Sequence, residues 1–124
     1  MILKIRPVRF VAYSAEDRLL MFSERYPFSR ASLEGKGLNC PGIYIFWRNK
    51  ICLYVGKSDR PIYDRLTEHW KSCHNPDLKK WLDVFGKKIE FQWECWDKQI
   101  PLLRLEQKYI DHYGPITNKI RAEK

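Results

Sequence analysis

Two β-rich runs stand back to back in the middle of the chain, GIYIFWR at 42–48 and KICLYVG at 50–56, with Asn49 between them. Each is too short for a stable isolated helix and is rich in residues that favour a pleated, half-buried surface. Meeting at one turn-prone residue, they read as an antiparallel hairpin. A third run, KIEFQWECW at 88–96, alternates strictly. Ile89, Phe91, Trp93 and Cys95 fall on one face, and Glu90, Gln92 and Glu94 on the other, the pattern of a half-buried strand. Between these runs the periodicity changes to that of helices. Residues 60–71 carry Pro61 near a helix start, with Ile62, Leu66 and His69 or Trp70 at helical spacing. Asn75-Pro76 reads as an N-cap followed by proline at the first helical position, and Gly86 as the stop. Residues 100–113 read as a last helix closed by Gly114-Pro115. The order β-β-α-α-β-α predicts an α+β architecture, a three-stranded antiparallel sheet flanked by helices.

Ahead of this unit, residues 2–13 read as extended and bent at Pro7. Ser14 and Asp17 resemble a capping box opening a short helix, AEDRLLMF. Residues 26–41 read as a connecting loop. The expected division is an N-terminal strand and helix extension, 1–41, packed on a domain spanning 42–124. With 124 residues there is room for one core and not two. No apolar run reaches the roughly 20 residues that span a bilayer. The N-terminus lacks the apolar segment of a signal peptide, so a cytoplasmic location is expected, or a nuclear one in a eukaryote.

The net charge is +8, and the excess is spread along the chain: residues 1–41 hold 7 basic and 4 acidic residues, leaving 16 and 11 for 42–124. Such a balance suits a polyanionic partner. Arg6, Arg9, Arg25 and Arg30 could extend a nucleic-acid surface, and Lys79, Lys80, Lys87 and Lys88 are candidate phosphate contacts. The four cysteines, Cys40, Cys52, Cys73 and Cys95, contain no Cys-x-x-Cys pair. Cys73 adjoins His74, but the spacings match no structural zinc pattern. Free, partly buried thiols are expected, and a disulfide framework is not.

Three features break their local pattern. In the last helix Leu103, Ile110 and Tyr113 share a stripe that also holds Glu106, with Leu102, Leu105 and Tyr109 on a neighbouring row. A core-facing carboxylate is costly unless paired or bound to a cation; alternatively Glu106 lies at the stripe's edge and pairs in water. Tyr44 and Tyr54 each interrupt an aliphatic strand. Gly56 ends a strand before Lys57-Ser58-Asp59-Arg60, where backbone could approach a phosphate.

Gly42-Ile43-Tyr44, Tyr54-Val55-Gly56, Arg65 on one helix, Glu106 on a later one and Asn118 after Pro115 form an ordered set that resembles the GIY-YIG nuclease family, with Val55 in place of the commoner isoleucine. The resemblance covers residues 42–118. It implies metal-dependent cleavage of DNA phosphodiesters, with one Mg²⁺ or Mn²⁺ per site. Residue by residue, it implies that Tyr44 and Tyr54 line the active site, one of them positioning or deprotonating the attacking water. Lys57 matches a basic residue that would help lower that tyrosine's pKa. Arg65 would neutralise the scissile phosphate, and His69 matches a position where some members carry a catalytic histidine. Glu106 would hold the cation, and Asn118 would brace the site through hydrogen bonds. Arg65 lies one residue further from Gly56 than is usual, which makes Arg60 a competing candidate.

If Tyr44 and Tyr54 share a face, the expected register pairs 44 with 54 and 47 with 51, around a loop of Arg48-Asn49-Lys50 with Asn49 or Lys50 left-handed. An odd loop or a bulge is expected, because a regular two-residue turn would put the tyrosines on opposite faces and count against a shared site. The reading is a DNA endonuclease of weak intrinsic sequence specificity. The rivals are a nuclease-like module that grips DNA without cutting, and a nuclease whose substrate is chosen by a protein partner. A homodimer or two sequential nicks would be needed to cut both strands.

Overall fold

The computed structural model describes residues 22–35, 37–96 and 101–118. Arg6, Arg9, the 2–13 segment and most of the expected first helix lie outside them. The described chain forms β1 (Tyr26–Pro27), α1 (Arg30–Gly35), β2 (Gly42–Arg48), β3 (Ile51–Ser58), α2 (Ile62–Ser72), α3 (Pro76–Phe85), a 3-10 turn (Gly86–Lys88), β4 (Glu90–Cys95) and α4 (Leu102–Tyr113). The sheet is antiparallel, in the order β1-β4-β2-β3. The α+β architecture is the expected one, with a fourth strand where three were expected. That strand is short and pairs Tyr26 with Phe91. Residues 26–41 are therefore more than a loop: they supply β1 and α1, and Phe28, Leu33 and Leu38 enter the core.

Local signals explain the helix ends. Asn75 caps α3 by accepting from the Asp77 and Leu78 amides at 3.0 and 3.1 Å. Gly114 closes α4 in the left-handed region, φ 59°. Helix α2 has no side-chain cap. Its first amides are met instead by carbonyls of the preceding loop, Ile62 N to Cys40 O at 2.9 Å and Tyr63 N to Leu38 O at 3.1 Å.

The sheet is covered on both faces. One face carries Tyr44, Phe46 and Phe91 and packs with Ile62 and Leu66 of α2 and Leu78 of α3. The other carries Ile43, Ile45 and Val55 and packs with Leu102, Leu105 and Tyr109 of α4. Two expectations change as a result. The polar face of β4 is not solvated: Glu94 is buried and accepts a hydrogen bond from Tyr109 Oη at 2.8 Å. In α4 the core row is Leu102, Leu105 and Tyr109, whereas Leu103 is 63% exposed.

The hairpin turns at Asn49, φ 55°. Its register differs from the expected one: Tyr44 faces Gly56, Phe46 faces Tyr54, and Arg48 faces Ile51. Between Phe46 and Trp47 the register shifts, leaving Leu53 as an extra residue on β3. This bulge restores the parity that a two-residue turn would have broken, so Tyr44 and Tyr54 do share a face. Their rings lie 6.1 Å apart.

Cys40 and Cys95 are joined in a disulfide, contrary to the expectation of free thiols. The sheet order explains it. β4 lies beside β2, and Cys95 pairs with Gly42, two residues from Cys40, which brings the Cα atoms to 5.6 Å. Cys52 and Cys73 remain free thiols. Burial pushes the Cys52 thiol up to about 12, which makes it unreactive. Among the described residues no helix is long and apolar enough to cross a membrane.

Candidate active site

Tyr44 sits on β2, one strand in from the sheet's edge, and its side chain lies across the edge strand β3. That crossing requires Gly56: a Cβ there would collide with Tyr44 Cζ and Oη. Gly42 is constrained for a different reason, since a Cβ would strike the backbone carbonyl of Glu94 on β4. The two glycines thus set the strand spacing and the path of the phenol.

Tyr44 Oη meets His69 Nε2 at 2.8 Å. On the imidazole's other side Nδ1 meets Cys73 Sγ at 3.3 Å, and Cys73 in turn donates to Asn75 O at 3.6 Å. The direction of this chain follows from its ends. A carbonyl can only accept, so the thiol spends its proton on Asn75. Its sulfur then accepts from Nδ1–H, and neutral Nε2 accepts from the Tyr44 hydroxyl. Titration agrees. Burial, aided by the Arg65 charge, depresses His69 to about 4, so the ring is neutral near neutral pH. Burial raises Tyr44 well above the usual phenol value, and Tyr54 and Glu106 raise it further, while Arg65 opposes the rise. Tyr44 therefore keeps its proton.

Arg65, on the second turn of α2, lies in electrostatic reach of both Tyr44 and Tyr54. Burial works against its charge, but the two phenols and Glu68 outweigh that and raise its pKa. The extra residue between Gly56 and Arg65 is absorbed in a turn held by Ser58, whose hydroxyl donates to Arg60 O at 2.6 Å. This is also the place where a phosphate-cradling backbone was expected; the buried Ser58 organises the turn instead. Arg60 is more exposed than Arg65 and binds Glu68 at 2.8 Å. Glu68 also reaches Arg65 at 3.4 Å, so one carboxylate holds both arginines.

Glu106 comes from the opposite layer. It is 6% exposed on α4, yet Tyr44 senses its charge. As an oxygen donor that is buried at the site, it suits a hard divalent ion that keeps several waters. No group of three or more His, Cys, Asp or Glu side chains is gathered for a metal among the described residues.

Asn118 braces β3 from outside. Its amide oxygen accepts from Val55 N at 2.8 Å and its amide nitrogen donates to Val55 O at 2.9 Å. Thr117 N donates to Leu53 O at 3.0 Å and Ile116 N to Cys52 O at 3.1 Å, so residues 116–118 act as a short surrogate strand along the sheet's free edge. Asn75, the cap of α3, donates to Thr117 O at 2.8 Å and ties this segment to the His69 side of the site.

Other expected residues are elsewhere. Lys57 alternates to the face of Ile43 and Val55, and its ammonium binds Asp59 at 3.0 Å. Arg65 is the cation that acts on Tyr44. Arg25 donates to Asn49 O at 2.7 Å and covers the Trp47 ring at 3.9 Å, bracing the hairpin turn. Arg30 pairs with Glu34 at 3.7 Å and Lys79 with Asp83 at 2.8 Å. Lys80, Lys87 and Lys88 are exposed. Sequence reasoning missed the pairing of Cys73 with His69, and missed Glu68 and Thr117. The first two carried a signal, since Cys73 stands four residues after His69 and Glu68 three after Arg65, each on a shared helix face.

A family model described as the GIY-YIG catalytic domain matches residues 40–121. No curated protein and no solved structure matches the chain.

Proposed function

The chain belongs to the GIY-YIG family, a nuclease-type family, and from that premise we propose that it is a divalent-metal-dependent DNA endonuclease. One observation carries this reading. Tyr54, Arg65 and the buried Glu106, drawn from β3 and from helices on opposite faces of the sheet, all bear on the Tyr44 phenol, whose ring lies 6.1 Å from that of Tyr54.

Hydrolysis joins a water oxygen to phosphorus, breaks one phosphorus–oxygen ester bond and moves a proton from the water. Tyr54 is the phenol with solvent exposure, whereas Tyr44 is sealed. Tyr54, once its own hydroxyl proton has passed to solvent, orients the attacking water and takes its proton as the new phosphorus–oxygen bond forms. Tyr44 acts beneath it, its hydroxyl spent on His69 and its oxygen beside Arg65, so that both neighbours keep their geometry. Arg65 faces the phosphate and offsets the negative charge that grows on its non-bridging oxygens. Binding phosphate requires Arg65 to release Glu68, a half-exposed contact that costs little to break. Glu106 would hold the Mg²⁺ or Mn²⁺, which supplies Lewis-acid stabilisation of the same charge. Asn118 keeps β3, and with it Tyr54 and Gly56, in register. The leaving oxygen takes its proton from solvent.

The net charge of +8 suits DNA. Lys80, Lys87 and Lys88 are proposed phosphate contacts. Sequence specificity is weak or borrowed from a protein partner or a second copy of the chain. The test is cleavage of supercoiled plasmid and of a labelled branched duplex, with Mg²⁺, Mn²⁺ or EDTA, by wild type and Glu106→Ala. Metal-dependent cutting that Glu106→Ala loses supports the reading. Salt-sensitive DNA binding without any cutting would replace it with a binding module or a partner-dependent nuclease.

A further inference from the structure

Beside the tyrosines, on the far side of His69, the fold leaves a cavity of about 270 Å³ between α2, α3 and the 3-10 turn. Phe28, His69, Trp70, Lys71, Cys73 and Lys87 contribute to its lining. His69 is the partition: its Nε2 edge serves Tyr44, and its Nδ1 edge, with Cys73, forms a wall of the cavity. Whatever occupies this space therefore sits one side chain away from the reacting centre.

The lining has two chemistries. Trp70 is 44% exposed, and its ring makes a T-shaped contact with Phe28 at 5.3 Å, so the indole is packed on one side and solvent-accessible on the cavity's rim. Around it stand three ammonium groups. Lys79 is neutralised by Asp83 within the cavity wall, while Lys71 and Lys87 make no ion pair with a described residue. A solvent-accessible indole and two lysines lining one cavity are the pairing that single-stranded nucleic acid uses, a base on the ring and phosphates on the lysines. The volume lies just below the lower end, about 300 Å³, of ordinary small-ligand pockets. It has room for one base with its sugar.

We propose that this cavity receives one unpaired nucleotide adjoining the scissile phosphate, its base stacked on Trp70 and its phosphate held by Lys71 and Lys87. The inference rests on the DNA reading above and adds a substrate class: duplexes with a single-stranded arm, flap or bulge at the cleavage point. Pulling a paired base into such a site costs a few kcal/mol, and a base already unpaired escapes that cost.

The test measures binding in EDTA, without relying on cleavage. Fluorescence anisotropy compares a blunt duplex with a duplex bearing a single-stranded arm, for wild type, Trp70→Ala and Trp70→Phe. Stacking on an aromatic contributes about 1–3 kcal/mol per base, about 5- to 150-fold in Kd. Trp70→Ala should weaken the armed duplex about tenfold and the blunt one less than about twofold, and Trp70→Phe should recover most of the loss. A 2-aminopurine at the first unpaired position should be quenched by wild type and not by Trp70→Ala. Equal losses on both DNAs, or an arm preference that survives Trp70→Ala, would overturn the nucleotide site and leave the DNA reading standing. Failure of wild type to bind either DNA would remove the DNA reading itself, and this inference with it.

Discussion

His69 makes stability depend on pH in a way that can be worked out in advance. Its folded pKa is about 4 against an ordinary 6.5. Between those values the unfolded chain binds a proton that the native chain refuses, so falling pH favours unfolding. The contribution is fully present above 6.5 and is lost as pH falls through 4. With these two constants, the single-site linkage relation gives a loss of about 2 kcal/mol between pH 7 and pH 5. Urea denaturation of wild type and His69→Gln across that range isolates the effect. Glutamine does not titrate and offers Tyr44 Oη an acceptor of similar reach. Other groups titrate equally in both proteins, so the wild type should lose about 2 kcal/mol more than the variant. Equal losses would mean that the imidazole is not buried against Tyr44 and Cys73, and the hydrogen-bond direction derived for that chain would fall with it.

Three further outcomes follow from the packing. Gly56→Ala drives a methyl group into the Tyr44 ring, and should cost about 1–3 kcal/mol in thermal unfolding and reduce cleavage by more than stability explains. Asn118→Ala removes two hydrogen bonds to Val55, worth about 2 kcal/mol together; a Tm unchanged from wild type would show that water replaces them without loss. Reducing Cys40–Cys95 reopens a loop of sequence separation 55, for which chain entropy gives about 4 kcal/mol as an upper figure, measured by urea unfolding with and without reductant.

What the sequence revealed of this fold and site was local. The turn at Asn49, the Asn75 cap and the Gly114 stop each depend on residues adjacent in the chain, and each stands where it was read. So does the sharing of a face by Tyr44 and Tyr54. Its register was misread because a bulge at Leu53 and a three-residue loop give the same parity, and parity is all that alternation reports. Glu106 was conspicuous as an acid among apolar neighbours, but its row was misassigned. The stripe through Leu103 and the row through Leu102 lie so close on a helix that only the sheet beneath decides between them. Glu94 looked solvated because α4 covers it from a distant part of the sequence. The Cys40–Cys95 bond needed β4 placed beside β2, a matter of sheet order that no spacing encodes.

The surrogate strand at 116–118 has a consequence for how the protein comes into being. Its contacts with Cys52, Leu53 and Val55 span more than sixty positions of chain, so they close only after every helix of the described fold has been made. Tyr44, Tyr54, Arg65 and Glu106 are all translated before then. Until Asn118 is added, the outer edge of β3 lacks these hydrogen bonds, and the two tyrosines, Arg65 and Glu106 are present but unbraced. The bracing of β3 is therefore completed late in synthesis, and a chain halted before residue 116 would carry Tyr44, Tyr54, Arg65 and Glu106 while lacking the hydrogen bonds that hold the outer edge of β3.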